Sequence, residues 1–244
     1  MARVVKEESY SARRKDILEA AQRLVYTKGY EHMTIQDILD DLGISKGAFY
    51  HYFDSKGAVL EELVDWMVTQ EVIPTLTSIV VDPHQSGIEK LHRYFDTSAR
   101  WKFAHRAFVM ELMRVWRADE NAIVRQKLTA LSLKHVTPLL TQIICQGIQE
   151  GDFNTEYPEH TSKVVYYILL GMSDTLIELL LASVSEREGM DLENTVMTYI
   201  DALTDATERV LGARKGSLNL FDRQILMEWF KPTQPVVEYQ DASK

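Results

Sequence analysis

The chain has 244 residues, of which 45% are hydrophobic and 26% are charged, a balance typical of a soluble globular protein. Its 11 glycines and 6 prolines are few, which favours helices over β architectures with many turns. A single cysteine, Cys145, excludes an internal disulfide, and its setting in "TQIICQGIQ" indicates a helix face rather than a catalytic thiol. The N-terminus has no apolar run of signal-peptide length, and the longest apolar stretch, "VVYYILLGM", is about half a membrane span. We therefore expect a cytoplasmic protein without a membrane partner.

The charge is distributed unevenly along the chain. Taken over the whole chain, the net charge of −9 argues against a nucleic-acid partner. Residues 1–57, however, contain nine Lys or Arg and nine Asp or Glu, so this part is neutral and the acidic excess lies in 58–244. Because Arg13, Arg14 and Lys15 are adjacent, a local basic surface is compatible with the N-terminal part.

The first two predicted helices have recognisable ends. One starts at Ser11, where apolar residues begin to recur at helical spacing, and ends at Gly29, which suits the left-handed position after a helix. The next is capped by Thr34, because Asp37 follows three residues later and completes a capping-box pattern. Gly43 ends this short second helix.

Further helices follow to the end of the chain. Ser45 caps a short helix that we expect to reach about Phe53. Asp54 and Ser55 break the chain and cap a long helix predicted from near Lys56 to about Val80. Beyond the loop "DPHQSG" the apolar pattern predicts helices at 88–104, 105–117, 121–150, 160–185, 192–212 and 217–230. No stretch shows sustained β alternation. The sequence therefore predicts an all-α protein with a poorly ordered tail at 231–244.

The two short helices within 34–53 have the plan of a helix-turn-helix unit, in which the second helix enters the major groove of DNA. On a helical wheel Phe49 and Phe53 share one face, which is typical of core anchors. The consecutive aromatic residues 50–52 ("YHY") cannot all lie on that face, so at least one is exposed. The alternative, in which every aromatic ring is buried and Lys46 is merely solvated, suits the two phenylalanines only.

The exposed part of this second helix carries groups that suit DNA. Lys46 in the first turn can donate to guanine O6 and N7, and the small Gly47 and Ala48 let the backbone approach a surface closely. Tyrosine hydroxyls, an imidazole and Lys56 suit phosphate contacts. The helix N-terminus, which begins at Ser45, also favours a phosphate.

The segment "ILEAAQRLVYTKGYEHMTIQDILDDLGISKGAFYHYFDSKGAVLEEL" resembles the N-terminal domain of the tetracycline-repressor (TetR) family, in one register from about Arg14 to Leu63. The shared pattern includes "AA", "LGISKG" and the Tyr, Phe and Lys that follow, and it is more specific than helix-turn-helix spacing alone. The resemblance implies that seven residues match positions that contact DNA: Thr34, Lys46, Gly47, Tyr50, His51, Tyr52 and Lys56. With Ser45 and Ala48 they form the candidate DNA-contacting set. Two departures, Asp54 and the pair Asp40 and Asp41, would weaken attraction to phosphate.

The same resemblance implies a three-helix helix-turn-helix DNA-binding domain at 1–57 and a larger all-helical ligand-binding and dimerisation domain at 58–230. In the larger part, two predicted helices carry an apolar band that is too wide for one core face. The candidate dimer residues are Ile168, Met172, Leu176 and Leu179 on the first helix and Val196, Tyr199 and Leu203 on the second. Two such helices from each subunit would form a four-helix interface, and the alternative is the core of a single chain.

Large, adaptable side chains in the middle of the chain are candidates for an effector pocket, although such a stripe is more often core. They are Met67, Tyr94, Phe95, Trp101, Phe108 and Met113, with the carboxylates Glu111 and Asp174, for which a surface position is the alternative. A buried carboxylate facing aromatic rings would suit a cationic ligand, whereas the richness in Met and aromatic residues favours an apolar or amphipathic effector. The histidines lack the spacing of a zinc site, and we expect neither a metal nor a cofactor.

Together these features predict a homodimeric transcriptional repressor that binds a palindromic operator in double-stranded DNA and is released by a small-molecule effector. The helix at 55–80, which joins the two domains, is expected to transmit the signal. A DNA-binding activator and an effector-independent regulator are the alternatives within DNA binding. An enzyme is the alternative in another class, but the sequence contains no nucleophile elbow, P-loop, dinucleotide fingerprint or metal motif.

Overall fold

The computed structural model of the protein describes residues 2–117, 122–181 and 191–231. Within these ranges the chain forms helices and connecting turns and no strand, so the predicted all-α fold is confirmed. The helices are α1 (Ala2–Lys28), α2 (Ile35–Leu42), α3 (Lys46–Tyr50), α4 (Lys56–Met67), α5 (Ile73–Val81), α6 (Gly87–Ala104), α7 (Arg106–Arg117), α8 (Ala122–Glu150), α9 (Pro158–Leu181), α10 (Leu192–Leu211) and α11 (Arg223–Glu228). The tail predicted at 231–244 lies outside the described residues except for Lys231, as does the predicted continuation of α9 to residue 185.

The first four helices form an N-terminal core. The capping box at the start of α2 is present, since the Thr34 hydroxyl accepts from the Asp37 N–H and the Asp37 carboxylate accepts from the Thr34 N–H. Ser45 and Ser55 cap α3 and α4 through their side chains, as their positions predict. The buried residues of this N-terminal core are Ile17, Leu18, Ala20, Ala21, Val25, Tyr30, Met33, Ile38, Leu39, Phe49, Phe53, Val59, Leu60, Leu63, Met67 and Phe108. The predicted domain boundary at residue 57 falls at the start of α4, and the buried face of α4 packs into this core.

Several predicted helix ends differ from the structure. The first helix begins at Ala2 rather than Ser11, because residues 2–10 contain no glycine or proline and the helix continues where the apolar periodicity has stopped. The recognition helix α3 ends at Tyr50 rather than about Phe53, and the chain leaves it through a turn in which the Tyr52 and Phe53 N–H groups both donate to the Phe49 carbonyl.

The last predicted helix, 217–230, is also shorter, because only Arg223–Glu228 is helical. Before α11 the chain runs non-helically over α6, with Leu218 and Leu220 buried. The buried carboxylate of Glu208 on α10 accepts from the N–H groups of Gly216 and Leu218, both at 2.9 Å. Because the Glu208 carboxylate supplies the acceptors for these buried N–H groups, the segment can be buried without the hydrogen bonds of a helix.

The predicted long helix from Lys56 to about Val80 is continuous but contains a π-helical turn, Val68–Val72, between α4 and α5. Pro74 explains the irregularity, because its ring crowds the carbonyl four residues earlier in a regular α-helix. The turn widens before the proline, so that the Ile73 N–H donates to the Val68 carbonyl, five residues back. We call α4, this turn and α5 the connector.

The larger part of the molecule has its own core, formed chiefly by α5, α6, α8, α9 and α10. The ammonium group of Lys90 is enclosed at its edge, where it donates to the Val80 carbonyl and to Gln146 Oε1, both at 2.7 Å. α7 contacts both parts, since it packs on α1, α6 and α8 and its Phe108 is buried in the N-terminal core. The connector and α7 therefore both link the N-terminal core to the larger one.

Candidate nucleic-acid interface

The recognition helix α3 has only five residues, and it is held by apolar anchors rather than by its own hydrogen bonds. Phe49 is fully buried and Phe53 is 3% exposed, with their rings 6.1 Å apart. The Ser45 hydroxyl accepts from the Ala48 N–H at 3.2 Å and fixes the start of the helix. Two buried rings and one cap therefore orient α3 relative to the N-terminal core.

Most of the candidate DNA-contacting set lies on the surface around α3. Thr34, Ser45, Lys46, Gly47, Tyr50 and His51 are exposed, whereas Ala48 is half-buried. The Lys46 ammonium lies 5.9 Å from the centre of the Tyr50 ring, which is 44% exposed. A Cβ atom on Gly47 would meet no atom within 4 Å beyond its own chain neighbours and the backbone of α3, so the space beside it is open to an external surface. The arrangement offers a cation, an aromatic hydroxyl, an imidazole and a bare backbone on one short helix and the turn that follows it.

Two members of the set are turned inward instead. The Tyr52 ring is half-buried, with its centre 4.8 Å from that of Tyr10 on α1. The Lys56 ammonium donates to the carbonyls of Tyr30, Glu31 and Met33 at 2.9, 3.3 and 3.1 Å. Because a lysine has three N–H donors, this arrangement leaves Lys56 none for a phosphate, and we withdraw its predicted contact.

The surroundings of Lys56 explain why it takes this position. Its ammonium lies 4.3 Å from the centre of the Tyr30 ring, and desolvation lowers the pKa of Lys56 below its ordinary value. The three carbonyls belong to the turn between α1 and α2, whose backbone acceptors have no helix partner. Lys56 therefore ties the start of α4 to that turn.

The acidic residues around α2 are partly neutralised by pairing. Asp37 lies 2.6 Å from the Lys28 ammonium, and Asp41 lies 2.7 Å from Arg23. Hydrogen bonds from Lys28 and from Thr34 lower the pKa of Asp37 to about 2. These pairs reduce the repulsion of phosphate that the acidic residues would otherwise cause, whereas Asp54 is exposed.

Two residues of α1 outside the candidate DNA-contacting set contact the turn after α3. Arg14 donates from Nη1 to the Tyr52 carbonyl and to the Tyr10 hydroxyl, both at 3.4 Å. The Tyr10 ring also meets the His51 ring edge-to-face, with centres 5.7 Å apart. The available signal was the spacing of Tyr10 and Arg14, which places both on one face of a helix that begins before Ser11.

The candidate effector residues do not converge on one site. Met67 and Phe108 are buried in the N-terminal core, whereas Tyr94 and Phe95 are buried in the larger core. Asp174 is exposed, which agrees with the surface alternative, and Met113 is half-buried. The prediction of one shared pocket is therefore wrong for Met67 and Phe108, because α4 and α7 both pack on α1 and carry these residues into the N-terminal core.

The remaining two candidates, Trp101 and Glu111, lie at the junction of the two cores. Trp101 Nε1 donates to the Glu71 carboxylate in the π-helical turn at 2.9 Å, and the Trp101 ring stacks on His105 at 4.4 Å. Glu111 pairs with Arg114 and lies beside Gly29 at the end of α1. Both residues connect the larger core to the N-terminal helices.

Tyr94 retains one feature of a ligand-binding residue. It is 3% exposed, and its hydroxyl has no hydrogen-bond partner among the described residues. Burial raises the pKa of Tyr94 well above its ordinary range. An unsatisfied buried hydroxyl is costly, and a polar atom of a ligand or water would satisfy it.

The candidate dimer residues divide into two groups. Val196 is fully buried and Met172 is 9% exposed within a single chain, so their burial does not require a partner subunit, which corrects the prediction for both residues. Ile168, Leu176, Leu179, Tyr199 and Leu203 are half-buried. The exposed face of α9 instead carries Val164 and Tyr167, which are 45% and 54% exposed, and Gly171.

The helix α9 is the one described helix whose length and composition would allow it to cross a membrane. A core helix of a folded domain can have the same length and composition, so this feature alone does not indicate a membrane span. In this structure α9 packs against α8 on one side and α10 on another. These contacts explain the apolar residues on the buried faces of α9. Val164 and Tyr167 form an exposed stripe that no described helix covers.

Comparison with known proteins agrees with this geometry. Residues 17–63 match the family model of the bacterial regulatory proteins of the tetR family, and residues 109–194 match the tetracyclin repressor-like C-terminal domain. The first match contains α2, α3 and most of α4, and together the two cover more than half of the chain.

Individual relatives extend the likeness along the chain. An uncharacterised HTH-type transcriptional regulator of Bacillus subtilis, YfiR, is 24% identical over 221 residues, covering 86% of this chain and 100% of the relative. The transcriptional repressor KstR2 of Mycobacterium tuberculosis is 26% identical over 154 residues, covering 60% of this chain and 72% of the relative.

The crystal structure of Thermus thermophilus FadR, a TetR-family repressor in complex with lauroyl-CoA, shares the fold with a TM-score of 0.57 at 16% identity. It covers 79% of this chain and 93% of that one. Two family models that match in the expected order, on a helix-turn-helix whose recognition helix is exposed, show that the chain belongs to the TetR family of bacterial transcriptional regulators.

Proposed function

We propose that this regulator is a homodimeric repressor that binds a palindromic operator in the cytoplasm and is released by a small-molecule effector. The observation that carries the proposal is α3, a short helix anchored by Phe49 and Phe53 that exposes Lys46, Gly47 and Tyr50. Its first turn is open to base edges, and Lys46 is the residue best placed for a guanine. Thr34, Ser45 and His51 are proposed phosphate contacts, because two of them cap helix N-termini that favour anions.

A dimer is proposed because a palindromic operator needs two recognition helices, one helical turn of DNA apart. The exposed stripe of α9, with Val164 and Tyr167 on either side of a helical turn, supports this. Ile168, Leu176 and Leu179 flank the stripe on α9, and Tyr199 and Leu203 of α10 extend it. The interface would be isologous, so each residue would meet the same surface of the second copy.

The proposed effector is apolar or amphipathic. The larger core is rich in apolar side chains, and the buried Tyr94 hydroxyl supplies one unpaired polar group within it. FadR, which shares the fold, was crystallised with lauroyl-CoA. We therefore propose a ligand with a long apolar part and one hydrogen-bonding group that meets Tyr94.

The test is binding of the purified full-length protein to the DNA upstream of its own gene, measured by fluorescence anisotropy over a range of salt concentrations. We expect the logarithm of the affinity to fall linearly with the logarithm of salt concentration, as phosphate contacts require. Protein that binds this DNA no better than a scrambled duplex would contradict operator recognition. Lauroyl-CoA, with free CoA as the control, then tests the effector class, since release by the acyl compound alone is expected. DNA affinity that stays constant with both compounds, and with other apolar ligands, would favour an effector-independent regulator.

A further inference from the structure

We propose that Arg14 and Tyr10 of α1 are positioning residues that fix the turn at residues 51–53, and through it the presentation of His51 and α3, without contacting DNA. Both residues precede the segment 17–63 that matches the family model. The proposal rests on the operator binding proposed above. It concerns which residues outside the recognition helix set the affinity of that binding.

The Arg14 guanidinium joins three elements. Its Nε donates to Glu62 Oε1 on α4 at 2.8 Å, and its Nη2 contacts the other oxygen of the same carboxylate. Its Nη1 donates to the Tyr52 carbonyl after α3, and its Cζ lies 4.7 Å from the centre of the Phe53 ring. One side chain of α1 thereby holds α4 and the turn after α3 in a fixed relation.

The recognition helix needs such support at its C-terminal end. With five residues, α3 is too short to be stable by its own hydrogen bonds, and its last carbonyls have no partner within the helix. The Ser45 cap secures the first turn only. Arg14 supplies the missing donor to the Tyr52 carbonyl, which makes it a cap for the turn that ends the helix.

Tyr10 completes the support from the same face of α1. Its hydroxyl accepts a hydrogen bond from Arg14, and its ring contacts both Tyr52 and His51, at 4.8 and 5.7 Å between ring centres. The edge-to-face contact restricts the orientation of the His51 ring, which is otherwise exposed. The direction in which His51 points therefore depends on a residue 41 positions earlier in the sequence.

Arg14 is distinguished from a DNA-contacting arginine by its partners. Glu62, Tyr10 and Tyr52 engage four of the five N–H donors of its guanidinium. Its side chain is 28% exposed, and it lines a cleft of about 500 Å³ that also includes Trp66 on α4 and Leu131 on α8. A lysine could keep the charge near Glu62, but it could not hold the carboxylate with two donors, stack on Phe53 and reach the Tyr52 carbonyl together.

The first experiment compares Arg14→Lys and Arg14→Ala with the wild type in operator binding, at several salt concentrations, and in thermal unfolding. We expect each variant to lose about tenfold or more in operator affinity, since a charged hydrogen bond and a stacking contact are lost. The slope of log affinity against log salt should stay that of the wild type, because no phosphate contact is removed. A slope reduced by about one would show that Arg14 binds phosphate directly and would overturn the proposal, as would an affinity within twofold of the wild type.

The second experiment reports on the turn in the absence of DNA. The ring proton signals of His51 in NMR spectra should shift in Tyr10→Leu and in Arg14→Lys, because the neighbouring aromatic ring is removed or displaced. Arg13→Ala is the matched control, since Arg13 is the adjacent arginine and, among the described residues, pairs with Asp16 on its own helix. It should leave the His51 signals unchanged.

The two experiments separate the possible failures. Unchanged His51 signals in both test variants would contradict the positioning role, even if Arg14→Ala fails to fold, because Arg14→Lys and Tyr10→Leu are conservative. Wild-type protein that leaves the operator unbound contradicts the proposed function, and the NMR signals still decide whether Arg14 and Tyr10 hold the turn.

Discussion

Gly47 lies in the first turn of α3, where a Cβ atom would meet no atom within 4 Å beyond its chain neighbours and the backbone of α3. Packing within the chain therefore does not require glycine, although glycine is a poor helix former. We expect Gly47→Ala to raise the free energy of unfolding by up to about 1 kcal/mol. We also expect operator affinity to fall by about tenfold or more, because the added methyl group occupies space where α3 approaches the DNA. Urea unfolding and fluorescence anisotropy measure the two effects.

The matched control for Gly47→Ala is Gly43→Ala. Gly43 has a φ of +61° at the end of α2, a conformation in which alanine is strained. This variant should lower the free energy of unfolding by about 1 kcal/mol, the opposite sign to that expected at Gly47. A Gly47→Ala protein that binds the operator as tightly as the wild type would show that α3 does not approach DNA at this point.

The sequence predicted that Lys56 contacts a phosphate, whereas in the structure its ammonium donates hydrogen bonds to three backbone carbonyls. We expect Lys56→Met to lower the free energy of unfolding by about 1–3 kcal/mol, because the carbonyls of the α1–α2 turn lose a charged donor. The salt slope of operator binding should not change, since no phosphate contact is lost. A slope reduced by about one, with unfolding unaffected, would restore the original prediction.

Residue positions on α3 were predictable where the relevant neighbours are close in sequence. The wheel separated Phe49 and Phe53 from the exposed residues, because an i, i+4 pair must share a face. It could not place Tyr52 or Lys56, whose partners are Tyr10 on α1 and a turn that starts 26 residues earlier. Long-range partners decide whether a polar group faces the solvent, and local spacing does not contain that information.

The start of α2 gives a prediction at the scale of the element. Hydrogen bonds from Lys28 and Thr34 lower the pKa of Asp37 to about 2 from its ordinary value of 3.8. Because the folded-state pKa is the lower one, the stabilisation is present above pH 3.8 and is lost as the pH falls towards about 2. We expect Asp37→Asn to unfold at a lower temperature than the wild type at neutral pH, and the two melting curves to converge near pH 2.

A control separates the capping box of α2 from its overall charge. Asp40→Asn removes a neighbouring carboxylate that accepts a hydrogen bond from Gln36 and takes no part in the capping box. The difference between the melting temperatures of Asp37→Asn and Asp40→Asn should therefore depend on pH. A constant difference from neutral pH down to about 2 would show that the capping carboxylate does not titrate as the hydrogen bonds imply.

Elements were predictable where a local signal marks their ends. Thr34, Ser45 and Ser55 all cap helices as their sequence contexts predict, because capping is a matter of a few adjacent residues. The end of α3 and the non-helical segment at 217–222 were not predictable in this way. There the backbone hydrogen-bonding groups are paired by Arg14 and Glu208, which belong to other helices. The π-helical turn follows from Pro74, but the sequence alone does not state on which side of a proline a helix will widen.

For the whole molecule, the sequence indicated two units but not how they share residues. Within the connector, α4 packs into the N-terminal core, and α7 contributes Phe108 to the same core. Glu71, in the π-helical turn, meets Trp101 and His105 from α6 and its end. A candidate pocket selected by residue type alone therefore mixed side chains of both cores, because composition does not show which helices are neighbours.

The uncovered stripe of α9 gives the prediction that concerns the assembled protein. We expect Tyr167→Glu to convert the proposed dimer to monomers in analytical ultracentrifugation, because a carboxylate would be buried in an apolar interface. Operator affinity should fall by about 100-fold or more, since two linked recognition helices bind far more tightly than one. Tyr157→Glu is the control, because Tyr157 is 64% exposed and precedes α9. If both variants sediment as the wild type does, the dimer uses a surface other than α9. If only Tyr167→Glu dissociates into monomers and loses operator affinity, this result supports both the α9 interface and the palindromic operator.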